Sequence, residues 1–317
     1  MFIDPILYKR IKEKKKRLDS LRPLPESALL KLKEQFAIEM TYHSNAIEGN
    51  TLTLRETQLV IQEGLTIAGK SLREHLEAVN HKEAIDFLED LVKEKKPITE
   101  TLIRQIHFLV LTKINDREAG KYRSVQVRIT GTSYLPPQAF EVPSLMGAFM
   151  KWLKRNWQKT NPIELASLAH FKLVHIHPFI DGNGRTARLL TNLILMQKGY
   201  PPAIILKADR KKYYRVLDQA HRENFAPFVN FVARSVEGSL NLYLDAFEVR
   251  KTKKEAMGKK YISLAQAARG TPYSQEYLSL LARRGKIDAF KLKRNWLTTR
   301  EAIERYIKER KRKRKLE

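Results

Sequence analysis

The chain has 317 residues, an apolar fraction of 43% and 60 Lys and Arg against 35 Asp and Glu, for a formal net charge of +25; that length allows one large domain with a small one beside it, and that apolar content is well above the range of disordered chains. Cysteine is absent, which excludes a disulfide framework and any thiolate metal site. No window approaches the run of about 18 apolar residues that a membrane span needs, and the opening MFIDPILYKRIKEKKKR holds no signal-peptide core, so a cytoplasmic protein with no membrane partner is expected.

Most of the chain has helical period. Leu29, Leu32, Phe36, Met40 and Ile47 recur at three- and four-residue steps over 27–47, one face of a helix that Gly49 and Asn50 end. Thr53-Leu54-Arg55-Glu56 is a capping box opening the next helix. Further helices are predicted over 71–94, from Thr99 to about Thr112, over 144–157 behind Pro143, and near 163–176, 184–198, 209–222 and 225–247. Residues 122–137, YRSVQVRITGTSYLPP, break the pattern. Val125, Val127 and Ile129 alternate with polar residues, Thr-Gly-Thr-Ser turns the chain, and Pro136-Pro137 bars regular structure afterwards, which reads as one short hairpin. The polar run RKTKKEAMGKK at 250–260 reads as a linker.

The functional signal is HIHPFIDGNGRTAR, residues 175–188. Asp181-Gly182-Asn183-Gly184 lies between two helical segments, so glycine-flanked amides stand at a helix N-terminus, where free N–H groups and the helix dipole attract phosphate. Arg185 and Arg188 are three apart and would share a face, two forked cations for successive phosphates. Asp181 at the mouth can hold Mg²⁺ bridging those phosphates, and His177 at the end of the preceding helix is placed as a general base for an incoming hydroxyl. Phe179 reads as the apolar anchor of the loop. His175 and His177 do not read as a metal pair, because helical residues two apart face different directions.

HPFIDGNGRTAR resembles the motif HPFx(D/E)GNGRxxR of the Fic family at every constrained position. The resemblance implies an all-α fold, a Fic-type helical core with a short β-hairpin flap, and transfer of AMP from ATP to a Ser, Thr or Tyr hydroxyl of a protein target, self-modification included. It makes His177 the base, Asp181 the Mg²⁺ ligand, and Gly182, Asn183 and Gly184 the cradle for α- and β-phosphates. Arg185 would serve the β-phosphate side and Arg188 the γ-phosphate, with Thr186 between them also counted as nucleotide-binding. Relatives called Doc carry a variant loop and act as kinases; the second glycine and both arginines here favour AMP transfer. SNAIEG, Ser44 to Gly49, is similar to the family's inhibitory motif (S/T)xxxE(G/N), so Glu48 would pair with Arg188 and withdraw it from the γ-phosphate. The same glutamate is implicated in AMP removal by some relatives. Segment 122–137 matches the target-positioning flap, whose strand edge would pair with a target segment. Residues 208–224 resemble the stretch closing over the base, with Tyr213 or Tyr214 and Asn224 as adenine contacts; adjacent tyrosines on a helix cannot both face one pocket. The domain bounds implied are 1–95 (with the inhibitory helix), 96–249 (Fic core), 250–260 (linker) and 261–317.

Residues 261–307 resemble an excisionase-like winged helix-turn-helix. From Lys251 to Glu317, 21 Lys and Arg stand against 7 Asp and Glu, which favours nucleic acid as a partner. Ser274, Gln275, Ser279, Arg283 and Arg284 would face bases, and Lys291, Lys293, Arg294 and the tail 308–315 the backbone. A protein-recognition module is the alternative for this unit. For the whole chain the alternatives are a de-AMPylase using the same site and a nucleotide-sensing DNA-binding regulator. A homodimer is left open.

Overall fold

The computed structural model describes residues 1–129, 132–258, 261–292 and 295–313. It contains two compact units, Met1–Ala246 and Phe247–Glu317.

The first unit is helical: α1 Pro5–Ser20, α2 Glu26–Glu48, α3 Leu54–Glu63, α4 Leu72–Lys93, α5 Glu100–Leu111, α6 Val142–Asn156, α7 Pro162–Ile176, α8 Asn183–Gln197, α9 Arg210–His221 and the part of α10 (Ala226–Gly258) up to Ala246, the remainder of that helix belonging to the second unit. The predicted signals set most ends. Gly49 ends α2 at a φ of 110°, a left-handed conformation that glycine adopts without a Cβ clash. Both hydrogen bonds of the capping box form between Thr53 and Glu56, and the Thr99 side chain caps α5. Helix α1 was not among the sequence expectations. Its signals are Asp4, whose carboxylate accepts from Leu7 N–H at 2.8 Å, Pro5 at the first helical position, and the buried row Leu7, Ile11 and Leu18.

Helices α7 and α8 pack most extensively against each other, and Leu165, Ala166, Ala169 and Leu173 of α7 and Ala187, Leu190, Leu193 and Ile194 of α8 are all buried. α4 and α5 lie against α8, and α2 touches both α4 and α8. The loop 177–182 joining α7 to α8 therefore opens at one end of the central pair, with the C-terminal end of α2 beside it.

Two expectations are corrected. Among the described residues of 122–137 no strand forms. Instead, carbonyls a ladder would use go to side chains: Val125 O and Pro137 O accept from Arg123, and Pro136 O accepts from Gln126 Nε2 at 2.9 Å. Residues 250–258, read as linker, continue α10 to Gly258. Lys, Glu, Ala and Met are good helix formers, no proline interrupts them, and charge alone does not end a helix.

The second unit holds β1 Ile262–Ser263, α11 Leu264–Ala268, α12 Gln275–Arg283, β2 Ala289–Leu292, β3 Asn295–Thr298 and α13 Arg300–Lys313. The antiparallel sheet has the order β1-β3-β2, with Phe290 opposite Leu297. Leu264, Leu278, Leu281, Ile287 and Ile303 form its core. Lys293, Arg294 and residues 314–317 lie outside the described residues. Among the described residues, no helix is long and apolar enough to cross a membrane.

Candidate active site

The chain leaves α7 at His177, whose φ of 51° and ψ of 57° are left-handed, a conformation uncommon for a residue with a Cβ. Its Nδ1 lies 3.2 Å from Val174 O. That nitrogen therefore carries the proton, and Nε2 keeps its lone pair. Burial pushes the imidazole pKa down to about 4, assisted by the charge of Arg123 and opposed by the Val174 bond, Glu48 and Asp181. At neutral pH the ring is an uncharged acceptor.

The loop after His177 is held from beneath. Phe179 is fully buried and stacks on His107 of α5, with ring centroids 3.6 Å apart and planes 4° from parallel. Asn183 Oδ1 accepts from Phe179 N–H at 3.0 Å, and its Nδ2 donates to Phe179 O at 2.8 Å. His107 Nδ1 accepts from Gly120 N–H at 3.0 Å, so its Nε2–H donates to Asp181 O at 2.9 Å. Gly182 has a φ of 77°, and a Cβ there would sit 3.3 Å from both His107 and Val110. The first helical bond of α8 is from Thr186 N–H to Gly182 O at 2.9 Å. The amides of Asn183, Gly184 and Arg185 precede it and point off the helix end.

Around this end stand the carboxylates of Asp181 and Glu48 and the guanidiniums of Arg73, Arg185 and Arg188. Asp181 Oδ1 accepts from Gly182 N–H at 2.6 Å and lies 3.3 Å from Arg185 Nη2; Oδ2 lies 2.7 Å from Arg73 Nη2 on α4. Burial alone would raise its pKa, but Arg185, the Gly182 amide and Arg73 together hold it below the ordinary value. Arg188 donates through Nε to Ser44 Oγ at 2.9 Å, and through Nη2 to Ser44 O at 3.0 Å and Glu48 Oε1 at 2.7 Å. Its buried Nη1 has no hydrogen-bond partner among the described residues. A Cβ on Gly184 would run into Oε1 of Glu48 and stand 3.2 Å from that same Nη1. The carboxylate of α2 thus occupies the space directly above the glycine of the helix end.

Several predicted residues are placed otherwise. Arg185 and Arg188 do not stand side by side: Arg185, almost wholly buried, turns to Asp181 and to Glu77 of α4, 3.4 Å away, while Arg188 turns to α2. Three helical positions share a face at the Cβ, but long side chains follow whichever carboxylate lies nearest. The Thr186 hydroxyl is fully buried and its N–H donates to Gly182 O. Asn183 can contribute its N–H only, since its side chain holds Phe179. Tyr213 is a core residue, 1% exposed, with its hydroxyl 2.8 Å from His170 Nε2. Tyr214 is half-buried, with its hydroxyl 3.5 Å from Ile47 O and Arg210 over its ring. Asn224 is exposed in the turn after α9, its N–H on Gln219 O at 3.1 Å. His175 faces His221 of α9, Nδ1 to Nδ1 at 3.1 Å, and not His177. Sequence reasoning missed Arg73, His107 and Arg123. Only His107 left a signal, as a histidine among Ile103, Ile106 and Val110 on the buried face of α5.

Unpaired amides at a helix end, a buried cation with a free Nη1 and one carboxylate can hold a polyphosphate. A neutral imidazole beside them can take a proton from a hydroxyl. An all-helical domain with HPFIDGNGRTAR running from the loop between its two central helices into the start of the second is a Fic domain. The profile of the Fic/DOC family matches residues 97–195. A protein described as protein adenylyltransferase Fic from Nematostella vectensis is 41% identical over 244 residues, 76% of this chain and 56% of its own length. Its namesake from Drosophila melanogaster is 40% identical over 239 residues, 74% of this chain and 48% of its own. The chain therefore spans about half the length of the curated relatives it matches. Among solved structures, a Fic domain containing signaling protein from Bacteroides thetaiotaomicron superposes with a TM-score of 0.71 at 31% identity, covering 75% of this chain and 97% of that one. Fic-1 from C. elegans gives 0.70 at 36%, covering 77% and 74%. The chain belongs to the Fic/DOC family.

Proposed function

We propose that this protein transfers AMP from ATP to a Ser, Thr or Tyr hydroxyl of a target protein, and that α2 restrains it. The observation carrying the reading is the uncharged imidazole of His177, its Nε2 free, at the loop that opens onto the α8 N-terminus. The name shared by the curated relatives supports the same reaction. In it the hydroxyl oxygen bonds to the α-phosphorus, the bond from that phosphorus to the bridging oxygen breaks, and pyrophosphate departs. The hydroxyl proton passes to His177 Nε2. The amides of Asn183, Gly184 and Arg185 and the free Nη1 of Arg188 meet the phosphate charge.

Mg²⁺ bound mainly through phosphate oxygens needs only one or two protein carboxylates. Among the described residues no cluster of three metal-binding side chains exists, and Asp181, with 44% of its side chain exposed, is the acidic group at the mouth. The donor set fits such an ion, which Asp181 would hold and which would neutralise charge on the phosphates.

Glu48 is the restraint. Its carboxylate fills the space over Gly184 and takes Nη2 of Arg188, so a phosphate meeting the same two groups must displace it. ATP labelled at the α-phosphate tests the whole reading in cell lysate. Label on protein should rise in Glu48→Gly and vanish in Glu48→Gly with His177→Ala. Release of AMP from modified protein by wild type, with no forward label in either variant, would establish the reverse activity instead.

The second unit we assign to nucleic-acid contact. Leu278, Leu281 and Ala282 bury one face of α12, which leaves Gln275, Arg283 and Arg284 exposed.

A further inference from the structure

Arg123 has no part in the reaction above, yet it is 2% exposed. Its guanidinium is met by neutral oxygens. Nε donates to His177 O at 2.8 Å, Nη1 to Val125 O at 3.0 Å and Gln126 Oε1 at 3.4 Å, and Nη2 to Pro137 O at 2.5 Å. Its backbone N–H donates to Pro178 O at 2.9 Å. One residue thus joins both ends of the segment 122–137 to the two residues at the exit of α7.

Burying a guanidinium against carbonyl dipoles alone is unfavourable compared with burying a neutral amide. A plain tie between loops does not require it. What the charge and the five-donor fork do provide is simultaneous reach to separate backbone segments. The carbonyl of His177 is turned out of α7 by the left-handed backbone of that residue, and Arg123 is what receives it. With the imidazole fixed by Val174 O, holding the backbone of His177 fixes the direction of Nε2.

We propose that Arg123 is a positioning residue: it sets His177 in register with the segment 122–137, so that a target hydroxyl presented by that segment meets Nε2. The inference rests on the adenylyl-transfer reading. Among the described residues, the charged or titratable groups that bear on His177 include Arg123, Glu48 from α2, Asp181 from the motif loop and His221 from α9. After burial itself, which is the main cause of its low pKa, the charge of Arg123 also works against protonation of the ring.

The test uses the full chain in the Glu48→Gly background. Arg123→Lys keeps the charge but cannot span four acceptors; Arg123→Gln removes the charge. Transfer of labelled AMP to lysate proteins should fall about tenfold to a hundredfold in the lysine variant. Its ATP–Mg²⁺ affinity by calorimetry should stay within about twofold, which locates the loss in kcat. In the glutamine variant the imidazole resonances of His177 should titrate at higher pH, because a neighbouring positive charge has gone. A lysine variant that transfers within about threefold of its parent, or one that loses ATP binding in step with transfer, overturns the inference. Should the Glu48→Gly parent transfer nothing, the functional reading fails by itself. The imidazole titration then still decides the role of Arg123, since unchanged resonances and midpoint in the glutamine variant sink it.

Discussion

Glu48 Oε1 stands 2.7 Å from Arg188 Nη2 across 140 residues of sequence. The pair joins the C-terminal turn of α2 to the second turn of α8, and most of its solvent contact is through the glutamate, with 33% of its side chain exposed against 7% for the arginine. Removing the carboxylate leaves a buried cation with neutral partners, Ser44 and the ring of Tyr213 among them. Glu48→Gln should therefore lower stability by about 1–3 kcal/mol, less than for a fully buried pair because Glu48 is partly screened. ATP with Mg²⁺ should raise the unfolding temperature of the variant more than that of wild type, because phosphate then takes the vacated place. Differential scanning calorimetry with and without nucleotide reads both effects, and equal shifts in the two proteins would remove Glu48 from the phosphate site.

His177 is uncharged well below neutrality, its pKa pushed down to about 4 mainly by burial. A base with that pKa is fully available across the neutral range, so AMP transfer in the Glu48→Gly background should be flat from about pH 6 to 8 and fall only below about pH 5. An unperturbed histidine would instead give an inflection near 6.5. His177→Ala should lose roughly 10²–10⁴-fold in rate while still binding ATP. A profile with its midpoint near 6.5 would mean that the ring is solvated when it acts.

The local part of this site was legible in the sequence because its chemistry is contiguous. His177, Asp181, Gly182 and Gly184 fall within eight positions, and glycine and histidine there have few other uses. The pairing of Glu48 with Arg188 was legible only through a resemblance, since nothing local in SNAIEG names a partner 140 residues away. Arg123 and Arg73 were not legible, and His107 showed only as a histidine on an apolar face, because each acts on the backbone or the carboxylate of the loop from another element. The alternation of Val125, Val127 and Ile129 suggested a hairpin because period-2 patterning cannot reveal that Arg123 and Gln126 take carbonyls from the ladder. Thr186 is the opposite case: it lies within the motif, but the helix turns its hydroxyl into the core.

Three buried histidines besides His177 make the fold acid-sensitive. His81 and His170 have pKa values lowered to about 3 and His107 to about 4, in each case chiefly by burial. The unfolded chain takes up protons near pH 6.5 that the folded chain refuses, so their contribution is complete above that pH and declines as pH falls toward 4 and 3. Each such group gives a slope of about 1.4 kcal/mol per pH unit within its window. Urea denaturation at pH 7, 6 and 5 should show a falling midpoint, and His107→Gln should flatten that fall. An unchanged midpoint between pH 7 and 5 would show that these rings are hydrated.

Asn183 and Thr186 are three residues apart in one motif and should respond in opposite ways. Asn183→Ala strips both buried polar groups of Phe179 of their partners, at a cost of about 1–3 kcal/mol for each group left unmet. It should also loosen the loop and reduce transfer. Thr186→Val replaces a buried hydroxyl that has no hydrogen-bond partner among the described residues. It should leave ATP affinity within about twofold and stability neutral or slightly higher. Calorimetric ATP titration and thermal unfolding of the two variants check this, and a large affinity loss in Thr186→Val would return that residue to the nucleotide site.

The exposed residues Arg283 and Arg284 at the end of α12 make the last expectation quantitative. The sequence reading turns both toward bases; if they instead neutralise phosphates, binding of the full chain to a short duplex should weaken steeply as salt rises, with a log–log slope near −0.9 for each phosphate neutralised. Replacing both by alanine should make that slope shallower by about two units, while the Glu48→Gly enzyme carrying the same changes keeps its self-labelling rate. Should affinity and slope stay where they were, α12 is not the contacting surface. Should lysate labelling lose particular bands while duplex binding persists, the unit selects protein targets rather than nucleic acid.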